Sequence, residues 1–423
     1  MTAFPRYDSY KDSGVEWLGE IPQSWQLQNI RAVTNLKSER NRPDLPVLSV
    51  YREYGVLLKD SRDDNHNATS LDISNYKSVD VGDLVVNKMK AWQGSMGVSD
   101  YKGIVSPAYI TCRINSKIIE PKFLHYLLRS KIYIGIYNAL SYGVRIGQWD
   151  MHYEDFKKIP LPIPTIAEQK RIVEFLDRST AEIDRAISQK QRLIELLKEQ
   201  KAILINQAVT KGLNLNVPMR DSGLDAIGEI PKHWQVLYNR RLFREKSRKI
   251  DSPNEMPLSV SQVDGVIPSK EMREKSLRPA HYNNFKLCLP KDLIVNRFKG
   301  HLGTFFESKY RGIVTFHYGV FVPGKNINTK YFELLFHTEP YKTIYAGASN
   351  GMTVGLQNLS NQNFYDVRSI VPPVEEQDQI VLFAQKVDEE FSQGFATIKK
   401  EIDSLVDLRK ILIANAVTGK IKV

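Results

Sequence analysis

The sequence repeats itself at a nearly constant offset. Asp12-Ser-Gly-Val-Glu-Trp-Leu-Gly-Glu-Ile-Pro-Gln-Ser-Trp25 returns 209 positions later as Asp221-Ser-Gly-Leu-Asp-Ala-Ile-Gly-Glu-Ile-Pro-Lys-His-Trp234. Val85-Val-Asn-Lys-Met-Lys90 returns as Ile294-Val-Asn-Arg-Phe-Lys299, and Gly103-Ile-Val-Ser-Pro-Ala-Tyr109 as Gly312-Ile-Val-Thr-Phe-His-Tyr318. Glu168-Gln169 and Ala208-Val-Thr210 return as Glu376-Gln377 and Ala416-Val-Thr418, now 208 positions on. So steady an offset means two domain-sized copies of one fold, not a solenoid of short repeats.

Within each copy the pattern changes once. Residues 1–164 and 216–372 mix short strand-like runs, such as Leu84-Val-Val86 and Ile104-Val105, with turn signals such as Asn41-Arg-Pro43 and Ser141-Tyr-Gly143. They read as α+β domains. Residues 165–215, entered through Ile159-Pro-Leu-Pro-Ile-Pro164, and residues 373–423 read as long helices. Thr165 and Glu168 have capping-box spacing. Ile172, Leu176, Ile183, Ile187, Ile194, Leu197, Leu204 and Ala208 form a seam of threes and fours, completed by Thr180, Lys190 and Lys201. The second copy repeats the seam from Ile380 to Ala416, with Pro373 in place of Thr165 and Gly394 as a weak point. Each seam needs a partner. Either each helix packs on its own domain, or the two pair antiparallel, with a pseudo-twofold internal duplication about the pair. The narrow seam favours pairing, as a spacer of roughly 70 Å at 1.5 Å per residue. The fold expected is two similar α/β domains separated by an antiparallel coiled coil of two long helices.

Charge points to a partner. Lys and Arg total 59 against 48 Asp and Glu, a formal net charge of +11. Residues 216–372 hold most of the surplus, 22 Lys/Arg against 14 Asp/Glu, whereas 1–164 carry 21 against 18. A polyanion would therefore meet the domains rather than the helices. Asn87, Lys88, Lys90 and Trp92 follow one strand-like run, and Asn296, Arg297, Lys299 and His301 follow its counterpart. Amides, alternating cations and a flanking glycine suit a loop that meets phosphates and base edges; the alternative is a strand with one charged face. Ser141, Tyr142 and Arg145, and likewise Ser349, Asn350 and Thr353, lie in glycine loops that are either binding loops or chain reversals. The run Arg240, Arg241, Arg244, Lys246, Arg248, Lys249 reads as a solvated helical face or a further contact.

Catalytic signatures are missing. We find no phosphate-binding glycine loop, no dinucleotide fingerprint, no Asn/Asp-Pro-Pro-Tyr run and no carboxylate–lysine nuclease pattern; Asp63-Asp64 reads as solvated. The eight histidines lack metal spacing, and Cys112 and Cys288 read as reduced thiols of a cytosolic protein. No apolar run reaches the roughly 18–20 residues of a membrane span, so no membrane role is expected. The reading is a non-catalytic binding subunit that binds no cofactor.

The assembled motifs resemble those of the DNA-specificity subunits of type I restriction–modification systems. Asp12-Ser-Gly-Val-Glu-Trp-Leu-Gly-Glu-Ile-Pro-x-x-Trp25 is similar to that family's N-terminal signature, Ile159-Pro-Leu-Pro-Ile-Pro-x-x-x-Glu-Gln169 to its central conserved region, and Val371-Pro-Pro-Val-Glu-Glu-Gln377 to its C-terminal one. The resemblance implies two target-recognition domains, each reading one half of a bipartite, asymmetric double-stranded DNA target in the major groove, with the helices setting the gap. It implies two methyltransferase subunits docked on the helices and on the Gly-Glu-Ile-Pro segments, using S-adenosylmethionine to methylate adenine at N6. Where a restriction partner exists, two motor-nuclease subunits would join, using ATP and Mg. The alternatives are a coiled-coil assembly scaffold that reads no sequence and a self-contained DNA-modifying enzyme.

Overall fold

Leu84, Val85 and Val86 are all fully buried. A strand buried on both faces must be central, and Leu84–Asn87 lies inside an antiparallel sheet ordered Thr34–Lys37, Tyr109–Ile114, Leu84–Asn87, Met96–Val98. In the computed structural model the described residues are 4–61, 69–70, 72–143, 149–246, 249–250, 255–272, 285–351 and 357–423. They form two compact units, Met1–Gln191 with Lys399–Val423, and Arg192–Ile398. Each unit takes in part of both long helices.

The second unit rebuilds the same sheet from Phe243–Glu245, Tyr318–Pro323, Leu293–Asn296 and Phe305–Glu307. The duplication holds at the level of register. Tyr109 faces Asn87 across the central pair, and Tyr318 faces Asn296; Leu84 faces Val98, and Leu293 faces Glu307. A one-residue slip would turn every side chain over, so equal registers mean equal faces. Helix Pro121–Leu128 packs on the strand Met96–Val98 and Lys131–Leu140 on the segment Lys88–Gln93, and likewise Thr329–Phe336 packs on Phe305–Glu307 and Glu339–Ala348 on Arg297–Leu302. The first core gathers Trp25, Phe123, Tyr133, Tyr137 and Phe156; the second is richer in aromatic rings, with Phe305, Phe321, Phe332, Phe336, Tyr345 and Phe364.

The long helices run Ile166–Lys211 and Val374–Val417. Glu168 N–H donates to Thr165 Oγ1 at 3.3 Å, so the expected cap is present. Gly394 does not break the second helix. The seam residues are the less exposed ones, and the two helices pair in both units. In the first, Lys190 lies 2.6 Å from Glu401 and Asp184 lies 3.4 Å from Arg409; in the second, Lys201 pairs with Asp388. Partner numbers fall as helix numbers rise, so the pairing is antiparallel.

Each unit also clamps a helix start and the other helix's end. In the first, Trp25 Nε1 and Tyr7 Oη donate to Glu168 Oε1 at 3.1 and 2.7 Å, and Gln169 accepts from Glu120 N–H at 2.7 Å. Tyr10 Oη and Lys420 Nζ then tie the chain end to the same domain, through the carbonyls of Gly419, Leu18 and Glu20. In the second, Trp234 Nε1 donates to Glu376 at 2.8 Å, Gln377 accepts from Asn328 N–H, and Tyr331 Oη donates to Val209 O. The repeated Gly-Glu-Ile-Pro segments are anchors: Ile21, Trp25, Ile230 and Trp234 are buried, and among these side chains only Glu20 and Glu229 are exposed. Their apolar part is thus spent inside the unit.

Candidate nucleic-acid interface

The run after the central strand is neither a loop nor a continued strand. Lys88–Gln93 is a 3-10 helix and Arg297–Leu302 a pair of 3-10 turns kinked at Lys299, each segment stopped by a left-handed glycine, Gly94 at φ 85° and Gly303 at φ 73°. A Cβ on Gly94 would stand 2.8 Å from Ile134 Cδ1. Glycine therefore both turns the chain and lets the segment sit against the helix Lys131–Leu140.

In the first unit this segment and the loop after that helix meet. Lys88 O accepts from Met151 N–H at 2.9 Å, Lys88 Nζ lies 3.4 Å from Asp150, and Tyr142 bridges Asp150 through the backbone. Tyr142 is exposed and stacks on His152, with centroids 4.8 Å apart, while Trp92 meets Trp149 edge-on at 5.2 Å. Lys90 is exposed; Ser141 is buried. Asn87 closes the strand, its N–H donating to Ser95 O. Two separately predicted groups thus form one surface, joined by Trp149, Asp150 and His152, which sequence reasoning missed. An exposed aromatic against a histidine leaves no local periodic signal.

The second unit repeats the arrangement with other side chains. Leu359 N–H donates to Arg297 O, and Asn350 bridges Asn358. Asn296 Oδ1 accepts from Phe298 N–H at 3.2 Å. Lys299 and Asn350 are exposed, His301 is half-buried, and Ser349 Oγ donates to Tyr345 O at 2.7 Å. Arg145 and Thr353 lie outside the described residues.

The electrostatics of the two surfaces differ. Glu245 Oε1 accepts from Arg297 at 3.0 Å and from Lys286 Nζ at 3.1 Å. Burial would raise this carboxyl, but bonds from Asn361 and Lys286 and the nearby Arg297 outweigh it and hold it below its usual range. In the first unit the equivalent positions are Leu36, Lys77 and Lys88. Lys77 Nζ donates to Tyr109 O at 2.5 Å, with no carboxylate on it among the described residues. Its burial, with Arg40 and Lys88 nearby, lowers its pKa. The basic run from Arg240 is not one helical face. Arg240, paired with Asp366, and Arg241 lie on the single turn Asn239–Leu242, Arg244 lies on the next strand, and Lys246 is half-buried beside Asp292. Arg248 and the side chain of Lys249 lie outside the described residues.

Both cysteines are buried free thiols, raised to about 12 by burial, which excludes them as nucleophiles at neutral pH. Among the described residues no group of His, Cys, Asp or Glu could hold a metal ion, and no helix is long and apolar enough to cross a membrane.

Comparison with known proteins gives one family. The model of the type I restriction modification DNA specificity domain matches residues 23–196 and 265–404. A putative type I restriction enzyme MjaX specificity subunit of Methanocaldococcus jannaschii is 22% identical, over 100% of this chain and 99% of its own length. The EcoKI specificity subunit of Escherichia coli is 20% identical, over 95% of this chain and 90% of its own. Among solved structures, the HsdS subunit from Thermoanaerobacter tengcongensis aligns with a TM-score of 0.53 at 16% identity, covering 94% of this chain and 98% of that one. A chain from a study of the assembly and conformational transition of the type I R-M system aligns at 0.61 and 14%, with the same coverage.

Proposed function

The chain belongs to the family of type I restriction–modification DNA specificity proteins, and we propose that it is the sequence-reading subunit of such a system. Each unit reads one half of a bipartite duplex target, and the paired helices set the gap between the halves. One observation carries this reading. Two units of equal register present a 3-10 segment and a facing loop at the same place, yet with different contact chemistry: Met89 and Trp92 in one, Phe298 and His301 in the other. A shared frame fixes the geometry of approach, and divergent side chains give unlike half-sites.

The chain performs no bond-making step itself. It recruits two methyltransferase subunits, which use S-adenosylmethionine to methylate adenine at N6 in each half-site. Two motor-nuclease subunits, with ATP and Mg, join where restriction occurs. The complex acts in the cytoplasm. Selection of bound duplexes from a random library by the assembled complex tests the reading. A consensus of two unlike blocks at fixed spacing is expected. Retention of DNA with no consensus would leave an assembly scaffold instead.

A further inference from the structure

The second unit holds a group of exposed aromatic rings that its duplicate lacks. Phe298 lies on the 3-10 segment Arg297–Leu302, and Phe316 and His317 lie on the turn before the strand Tyr318–Pro323. The register that sets Asn296 against Tyr318 brings these two segments to the same end of one strand pair. Phe298 and His317 have ring centroids 5.4 Å apart, and Phe316 and His317 3.9 Å apart. Phe298 is 49% exposed and Phe316 55%, and His317 is exposed too. The equivalent residues of the first unit are Met89, Pro107 and Ala108, so the fold does not require rings here.

Grouped, exposed apolar side chains mark a contact surface more than a packing need. What would cover this one follows from its surroundings. Lys299 is exposed beside Phe298, and this domain carries most of the chain's basic surplus. The group is continuous with the candidate DNA surface. Arg297, its other cation, is turned onto Glu245. The partner must then offer phosphates for Lys299 and an apolar mark for the rings. On the edges of base pairs in the major groove that mark is the thymine C5-methyl group, and phenylalanine contacts to it are a direct mode of readout.

We propose that Phe298, Phe316 and His317 form an apolar reader of thymine methyl groups in the half-site recognised by the second unit. The inference rests on the reading of that unit as a DNA-recognition domain. Uracil tests it, because replacing thymine by uracil keeps every hydrogen-bonding group and deletes only the methyl. With the half-sites known, each thymine of each half is replaced in turn, and affinity for the assembled complex is measured. At least one replacement in the second half-site should weaken binding about fourfold, the worth of one buried CH2-sized group. The Phe298→Ala/Phe316→Ala variant should bind thymine and uracil there equally, and should respond to uracil in the first half-site as the unaltered protein does. That last response also shows that the variant is folded. A second half-site without thymine, indifference of the unaltered protein to uracil, or an equal response of protein and variant overturns the inference. Failure to recover any bipartite target would overturn the DNA-recognition reading instead.

Discussion

Val98 N–H donates to His125 Nδ1 at 3.2 Å, and only a neutral imidazole can accept there. Burial, with Arg129 and Lys122 close by, pushes this histidine down from 6.5 to about 3. A folded-state value below the unfolded one stabilises the fold above the unfolded pKa, and that stability is lost as pH falls from about 6.5 towards 3. Melting temperatures taken between pH 7 and 5 should fall less steeply for His125→Gln, whose amide oxygen can also accept, than for the unaltered protein. Lys37 is a second case. It is buried, with Asp80 and Asp83 each 2.7 Å from Nζ. Burial alone would lower its pKa, but the hydrogen bonds that Lys37 donates to Asp80 and Asp83 outweigh it and raise it. Lys37→Met strands the buried Asp83 and should cost about 3–5 kcal/mol in denaturant unfolding; Lys37→Met with Asp83→Asn should recover part of the loss. Neither role was legible in the sequence. A lysine count gives net charge, but whether a lysine is solvated or folded inward depends on residues more than 40 positions away.

At the scale of elements, the central strands were legible because Leu84-Val-Val86 and its counterpart are unbroken β-branched or aliphatic runs. The 3-10 segments were not. Six residues are too few for a period, and what fixes them is a glycine that must meet Ile134 or Lys342 and an acidic partner far along the chain. Asp150 and Glu245 are those partners, and they decide which cations remain for DNA. Lys90→Ala should therefore lower the slope of log affinity against log salt by about 0.9, the worth of one phosphate contact. Arg297→Ala should leave the slope nearly unchanged, since Arg297 is committed to Glu245. Binding titrations at several salt concentrations separate the two. Along the second long helix, a Cβ at Gly394 would meet nothing within 4 Å. Gly394→Ala should stabilise the helix by about 1 kcal/mol, read as a higher midpoint of thermal unfolding.

At the scale of the whole molecule, the duplication and both helices were plain, since an offset and a heptad seam survive sequence divergence. The composition of the two units was not. Each takes the end of the other copy's helix, with Gly212 set against Trp234 and Gly419 against Trp25, contacts between segments that no local pattern joins. Such an arrangement makes one chain of two readers, and the proposed function follows from both being present at once. The most direct measurement is a map of methylated bases in cells that express this chain with its cognate methyltransferase, set against cells with the methyltransferase alone. The account predicts a new bipartite motif, two unlike halves at one fixed gap, with N6-methyladenine in each. No new motif, from a complex shown to assemble, would contradict it.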